Sequence, residues 1–170
     1  DRRTKIVKEE AEISLEDLIA AEEVIVTISH SGYIKRNAVS LYRAQRRGGK
    51  GKIGMGIKDE DFVETLFSAS THDSLLFFTD AGKVFWLKVH EIPEASRSAK
   101  GKALVNLLAL AGSEKVTATL PVKEFRDDRY IVMATKKGII KKTELSAFSN
   151  PRQGGIIALG LEGGDRLIGA

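Results

Sequence analysis

The chain has 170 residues, with 27 Lys and Arg against 23 Asp and Glu and a formal net charge of +4. Cysteine is absent, which excludes a disulfide framework and a thiolate metal site. No apolar run approaches the ~20 residues of a membrane helix, and the acidic, mixed N-terminus does not resemble a signal peptide. We therefore expect a cytoplasmic protein, without membrane association, that can bury a real core.

The charge is distributed unevenly along the chain. Residues 1–23 hold eight acids and four bases, whereas residues 24–170 hold fifteen acids and twenty-three bases. A basic body favours polyanionic partners. The acidic leader is predicted to be a linker from an upstream domain. It contains a possible short helix at about 14–21, because Ser14 is followed by Asp17 at the spacing of a helix cap.

From residue 24 the pattern changes to paired strands. A β-branched or aromatic run, a turn with glycine as its third residue and a second apolar or basic run occur three times, as in a β-hairpin. The turn glycines are Gly32, Gly82 and Gly138. The predicted strand pairs are 24–29 with 33–36, 75–79 with 83–86, and 130–135 with 139–142. We therefore divide residues 24–170 into three repeats, at about 24–72, 73–127 and 128–170, called the first, second and third units.

The units also correspond downstream of their hairpins. Gly51 and Gly101 each follow their turn glycine by nineteen residues, and the third unit has a similar glycine pair two residues closer. Each unit then offers another strand, at 63–69, 115–120 and from 165 onward. Four short strands in roughly 50 residues predict an all-β, propeller-like array of about three four-stranded blades. The third unit ends where its closing strand should begin, so the array should be incomplete, with open edges that could pair with a second copy.

A basic, glycine-rich stretch interrupts the first unit. Four cations and three glycines lie within residues 45–52, and residues 31–58 contain eight cations and no Asp or Glu. Glycines let backbone N–H groups approach an anion closely, and the cations add charge-assisted donors. A solvated charged loop would normally mix signs. We therefore predict an anion-binding site formed by Gln45, Arg46, Arg47, Gly48, Gly49, Lys50, Gly51 and Lys52, with Arg43 beside it.

Cations recur at matching places in the three units. If equivalent positions face the same way, these cations line one rim, which suits a duplex bound through its backbone rather than its bases. The alternative is a set of unrelated solvent-facing side chains. The additional candidates for DNA binding are Lys35, Arg36, Arg97, Lys100, Lys102, Lys141, Lys142 and Arg152.

The sequence shows no catalytic residues. The Gly-Lys pairs are never followed by Ser or Thr, so none completes a P-loop. His30, His72 and His90 lack the spacing of metal ligands, and residues 59–61 lack the remainder of a calcium loop. Trp86 is expected to pack between blades rather than to stack on a base.

At this point the motifs resemble those of a known family. Residues 45–51, QRRGGKG, are similar to the complete signature box of the C-terminal domain of bacterial DNA gyrase A subunits, and residues 27–36, 42–44 and 96–102 agree with its flanks. The resemblance implies a β-pinwheel, a propeller variant whose blades exchange strands. It also implies a domain that wraps double-stranded DNA so that ATP-driven strand passage introduces negative supercoils, with residues 1–23 as the linker leaving the breakage-reunion domain.

The resemblance further implies that this part of the protein holds no cofactor. ATP and Mg²⁺ belong to other parts of the parent enzyme, and the catalytic tyrosine lies upstream. The expected partners are double-stranded DNA and, through the parent heterotetramer, the gyrase B subunit, in the bacterial cytoplasm and associated with the nucleoid. The family's domain has more blades than the three units seen here.

Three alternatives remain at this point. The C-terminal domain of the topoisomerase IV paralogue is similar, but its box is usually degenerate, whereas this box is intact. A protein-binding propeller scaffold would show an apolar or mixed rim and salt-insensitive binding. A phosphate-ester enzyme lacks candidate catalytic residues. Binding to duplex DNA at two salt concentrations separates these classes.

Overall fold

The computed structural model describes residues 15–42 and 61–170. The predicted box at residues 45–51, with Arg43 and Lys52, lies outside the described residues. Within the described ranges, no helix combines the length and the hydrophobicity needed to cross a membrane. The described chain forms β-strands and single turns of 3-10 helix, which confirms the predicted all-β class.

Eleven strands make up three antiparallel sheets. They are β1 (Glu23–Ser29), β2 (Tyr33–Ala38), β3 (Val63–Ser70), β4 (Ser74–Thr79), β5 (Lys83–Lys88), β6 (Lys102–Ala103), β7 (Val116–Val122), β8 (Tyr130–Thr135), β9 (Ile140–Glu144), β10 (Ile156–Ile157) and β11 (Leu167–Gly169). The 3-10 turns span Leu15–Leu18, Val39–Leu41, Val89–Glu91, Leu104–Asn106 and Leu145–Phe148.

The three predicted hairpins are present. β1 pairs with β2, β4 with β5 and β8 with β9. Gly32, Gly82 and Gly138 have φ values of 79°, 74° and 86°, in the left-handed region that glycine enters without steric cost. The glycine of each turn is therefore required by its backbone conformation.

The sheets exchange strands between units. The first sheet has the order β3-β1-β2-β6, the second β10-β5-β4-β7 and the third β11-β8-β9. β6, from the second unit, pairs with β2 of the first, and β10, from the third unit, pairs with β5 of the second. This pairing confirms the strand exchange implied by the resemblance.

One expectation about the blade edges needs correction, the absence of a closing strand in the third unit. The closing strand of the third unit is present as β11, which pairs with β8. In the first two sheets a strand from the following unit, β6 or β10, pairs with the second strand of the hairpin. Within the described residues, β9 of the third sheet has no such partner.

The core lies between the sheets in two layers. Alternate residues of β4 point to opposite faces. Leu75 and Phe77 pack in the cluster shared with the first sheet, whereas Leu76 and Phe78 pack in the cluster shared with the third. Every residue of β4 is consequently buried. Trp86 is partly buried against the second cluster and its indole N–H donates to the carbonyl of Phe148 at 2.8 Å, as expected for packing between blades.

The described part of the leader is fastened to the second hairpin. It contains one 3-10 turn, Leu15–Leu18, rather than the predicted helix over 14–21. Leu18 is 72% exposed, so an α-helix here would have little apolar surface to bury, and short helices depend on such burial. The leader is held instead by Thr71, whose hydroxyl donates to the carbonyl of Ala20, and by Lys88, whose ammonium lies 2.7 Å from a carboxylate oxygen of Glu16.

Candidate nucleic-acid interface

The described candidates fall into two structural groups. Lys35 and Arg36 lie on β2 and face the chain of the second unit. The others lie in the loops leading to β6 and β10, at the start of β6 or along β9. The candidates Arg43, Gln45, Arg46, Arg47, Gly48, Gly49, Lys50, Gly51 and Lys52 lie outside the described residues.

Lys35 is not a surface cation. Its side chain is fully buried, and its ammonium donates to the carbonyl oxygens of Ser96, Arg97 and Ala99 at 3.1, 2.6 and 2.9 Å. Burial, and secondarily the charge of Arg97, lowers the pKa of Lys35. The prediction that Lys35 contacts DNA directly is therefore wrong for this structure, because its donors are committed inside the protein.

Arg36 and Asn37 extend the same fastening along β2. The Arg36 Nε donates to the carbonyl of Ile92 at 2.8 Å, and its guanidinium lies 3.8 Å from a carboxylate oxygen of Glu94. The Asn37 amide donates to the carbonyl of Ala95. We call residues 92–99 the strap, since three consecutive side chains of β2 hold it against the first sheet. Only 19% of the Arg36 side chain is exposed, which leaves it little surface for DNA.

The end of the strap and the residues after it carry three candidate cations of the second unit, of which Arg97 and Lys100 are half-buried and Lys102 is exposed. Gly101 has a φ of 85°, and a Cβ at this residue would lie 2.4 Å from the carbonyl oxygen of Ile34. This close approach seats the loop on β2 and lets β6 begin at Lys102, which is exposed. The Lys100 ammonium lies 3.9 Å from the ring centroid of Tyr33, a cation–π contact. The structure thus brings Arg97, Lys100 and Lys102 together at the β6 edge of the first sheet.

The third unit repeats this arrangement on the second sheet. Gly155 has a φ of 70°, and a Cβ there would lie 2.9 Å from the carbonyl oxygen of Val84. Arg152 is exposed in the loop that leads to β10. Equivalent loops of the second and third units therefore occupy equivalent edges of successive sheets.

Lys141 and Lys142 lie on β9, next to the edge that has no described partner. Both residues are exposed. The Lys141 ammonium donates to the carbonyl of Ala158 at 2.8 Å, and the Lys142 ammonium lies 4.2 Å from the ring centroid of Tyr130. These cations remain accessible, unlike Lys35 at the position equivalent to Lys141.

The sequence analysis missed the carboxylates that brace the first and third hairpin turns. Asp61 accepts a hydrogen bond from the Ser31 N–H at 2.9 Å, and Asp165 accepts one from the Lys137 N–H at 3.0 Å. Burial alone would raise the pKa of both carboxyls. The hydrogen bonds that each carboxylate accepts outweigh this effect of burial, so the pKa of both carboxyls is lowered. For Asp165 these hydrogen bonds come from Thr135, Arg166 and Lys137.

In the second unit Glu114 occupies the corresponding place, and it accepts hydrogen bonds from the Thr79 hydroxyl and the Ala111 N–H. The Thr79 hydroxyl, fully buried at the end of β4, donates to Glu114 at 2.5 Å. The signal in the sequence is an acid shortly before the third strand of each unit, together with a hydroxyl residue that ends the first strand. The carboxylates of Asp61 and Asp165 thereby orient their turns.

The histidines make local structural contacts. The His30 ring stacks on Phe62 with centroids 4.7 Å apart, and His72 Nε2 lies 2.8 Å from the carbonyl of Ile19. His90 Nδ1 lies 3.3 Å from the carbonyl of Thr71. Among the described residues, His, Asp and Glu side chains do not gather into a group that could hold a metal ion.

Comparisons with known proteins agree with this architecture. Two DNA gyrase A subunits align with 99% of the chain, at 53% identity for Aeromonas salmonicida and 51% for Salmonella typhimurium. The chain covers 18% and 19% of these relatives, or about a fifth of their length.

Two solved structures share the fold. The C-terminal domain of DNA topoisomerase IV has a TM-score of 0.75 and 28% identity, over 88% of this chain and 45% of that one. The DNA gyrase A C-terminal domain has a TM-score of 0.68 and 26% identity, over 87% and 47%. The family model described as DNA gyrase C-terminal domain, beta-propeller, matches residues 23–70, 73–123 and 129–170. The chain therefore belongs to the DNA gyrase C-terminal domain family of β-propellers.

Proposed function

We propose that this chain is a DNA-wrapping domain of a DNA gyrase A subunit, which binds the duplex backbone along basic loops at the sheet edges. The observation that carries the proposal is the repetition of those loops. Residues 95–103 and 149–157 contain the exposed cations Lys102 and Arg152 and no acid, and they occupy the same edge of successive sheets. Such a surface presents positive charge to phosphates without a base-reading element.

The box at residues 45–51 is proposed to supply a third basic loop of the same kind. It matches the loops before β6 and β10 in its place relative to the hairpin. Identity above 50% to gyrase A subunits over nearly the whole chain, together with the complete box, favours gyrase over the topoisomerase IV paralogue.

The activity of the whole protein follows as a proposal from these relatives. The parent enzyme would work with the gyrase B subunit, use ATP and Mg²⁺ bound elsewhere, and introduce negative supercoils in the bacterial cytoplasm, with the nucleoid as its place of action. This domain would contribute DNA geometry rather than chemistry. Pairing of a second copy at an open strand edge of the third unit remains a prediction.

The test is duplex binding as a function of salt. Counterion release lowers log K by ~0.9 per phosphate contact for each unit of log salt, so about five contacts predict a slope of about −4 to −5. Fluorescence anisotropy with a mixed-sequence duplex at several salt concentrations measures this slope. A slope near zero, or dependence on one short sequence, would overturn the proposal in favour of a protein-binding scaffold.

Matched variants locate the surface. Arg152→Ala removes a cation near β10 and should reduce the magnitude of the slope by about one. Lys123→Ala removes an exposed cation just beyond β7, at the opposite edge of the same sheet, and should leave the slope unchanged. Equal effects of the two variants would contradict binding at the β10 edge. In the parent enzyme, Ala at Arg46, Arg47 and Lys50 together should reduce supercoiling more than binding.

A further inference from the structure

The backbone of the strap turns its carbonyl groups into the protein. The Lys35 ammonium donates to the carbonyl oxygens of Ser96, Arg97 and Ala99, and the Asn37 amide donates to that of Ala95. A cluster of carbonyls around one buried cation fixes the orientation of the peptide planes between them. The loop is therefore rigidly oriented from behind, by a side chain of the preceding unit.

This orientation decides where the N–H groups of the loop point. In a planar trans peptide, the N–H of a residue points away from the carbonyl of the residue before it. The N–H groups of Arg97, Ser98 and Lys100 therefore point away from Lys35, and none of them donates to a residue in the described ranges. The Ala99 N–H differs from these three, because it donates to the carbonyl of Ser96 at 3.1 Å.

The side chains around these N–H groups are those of an anion site. Arg97 is half-buried, and its Nε is buried without a hydrogen-bond partner among the described atoms. Lys100 lies over Tyr33, and the hydroxyls of Ser96 and Ser98 lie 3.5 Å apart on the exposed side. The nearest acid along the chain, Glu94, pairs with Arg36. Residues 95–103 themselves contain no Asp or Glu.

We propose that residues 96–100 form a main-chain nest for a phosphodiester group of duplex DNA, and that the buried Lys35 is the residue that positions it. The proposal rests on the proposed function and adds its ligand subsite. Concave sets of backbone N–H groups bind phosphate without side-chain rearrangement, and the guanidinium of Arg97 supplies charge-assisted hydrogen bonds beside them. Lys35 acts through the loop and never touches DNA.

The third unit provides an internal contrast. The residue behind its loop, at the position equivalent to Lys35, is Phe85, whose ring lies 2.9 Å from where a Gly155 Cβ would be. The Phe85 ring has no N–H group that could donate hydrogen bonds to several carbonyl oxygens. The loop with Arg152 therefore lacks a buried cation that fixes the orientation of its peptide groups. We therefore expect it to bind phosphate through side chains alone, which makes the nest specific to the second unit among the described loops.

The test follows backbone amides by ¹⁵N NMR of the whole chain, with a 12-base-pair duplex in one titration and inorganic phosphate in another. The amide protons of Arg97, Ser98 and Lys100 should shift downfield in both. Lys35→Met keeps the aliphatic length but removes the ammonium, so these shifts should disappear and duplex affinity should fall several-fold while other resonances keep their dispersion. Lys102→Ala, as the control, should weaken binding but keep the shifts.

The outcomes separate the nest from the proposed function. If the duplex binds but these three amides do not respond, the nest is wrong and DNA binding stands. If the duplex does not bind even at low salt, the proposed function is wrong, and the phosphate titration alone then decides whether an anion site exists. Should Lys35→Met fail to fold, the wild-type titrations still decide the proposal.

Discussion

Replacing Gly101 by alanine tests whether the close approach of the loop to β2 holds the first and second units together. The residue has a φ of 85°, and the new Cβ would lie 2.4 Å from the carbonyl oxygen of Ile34. That carbonyl belongs to the strand on which β6 pairs. The substitution therefore strains the backbone and also forces the exchanged strand away from its sheet.

The two costs can be estimated separately. A non-glycine residue in the left-handed region costs roughly 1–2 kcal/mol, and overpacking of a tight contact costs about 1–3 kcal/mol. Gly101→Ala should therefore lower the free energy of unfolding by about 2–5 kcal/mol, from the same two effects. In a chain of this size each kcal/mol corresponds to a shift in melting temperature of about 2–4 °C.

Gly32→Ala is the matched control. Its φ is 79°, but a Cβ there would meet no atom within 4 Å, so it should show only the backbone cost of about 1–2 kcal/mol. Urea unfolding followed by circular dichroism measures both variants. Equal losses for Gly101→Ala and Gly32→Ala would refute the argument, because the contact with Ile34 would then contribute nothing.

Two further predictions concern the carboxylates of Glu114, Asp61 and Asp165. Thr79→Val removes the buried donor to Glu114 and should lower the free energy of unfolding in urea by about 1–3 kcal/mol. The control Thr117→Val removes a more exposed hydroxyl that donates to the carbonyl of Phe78, so its loss of stability should be smaller. A larger loss for Thr117→Val than for Thr79→Val would contradict the role of the Thr79–Glu114 hydrogen bond. The pKa values of Asp61 and Asp165 lie below their usual 3.8, so the stability they add is complete above that pH and is lost as the pH falls through the lowered values. The double variant Asp61→Asn with Asp165→Asn should therefore lose less stability than the wild type on acidification in pH-dependent urea unfolding, and parallel profiles would contradict the assignment.

The repeats were predictable from sequence because their signals are local. A hairpin turn that needs a positive φ requires glycine at Gly32, Gly82 and Gly138, whatever packs around it. The β-branched and aromatic residues in each run then favour a strand on either side of the turn. These local constraints were sufficient to predict the all-β class, the hairpins and the number of units.

The partner of each strand was decided by the tertiary structure. Nothing in the runs after Gly101 or Gly155 specifies which neighbouring sheet accepts them, since a strand edge offers the same backbone donors and acceptors everywhere. Exchange between units depends on the close seating of these glycines on the preceding sheet. The resemblance implied this exchange, but the residues of these two runs alone did not specify it.

The same limit applies to the cations. Lys35 and Lys141 occupy equivalent positions and are the same residue type, yet one is buried under the strap and the other is exposed on β9. Residue type predicts charge, but accessibility depends on whether a later segment folds over the side chain. Charge and repetition were therefore readable from the sequence, whereas the fully buried, inward-pointing position of Lys35 came only from the packing of the second unit on the first.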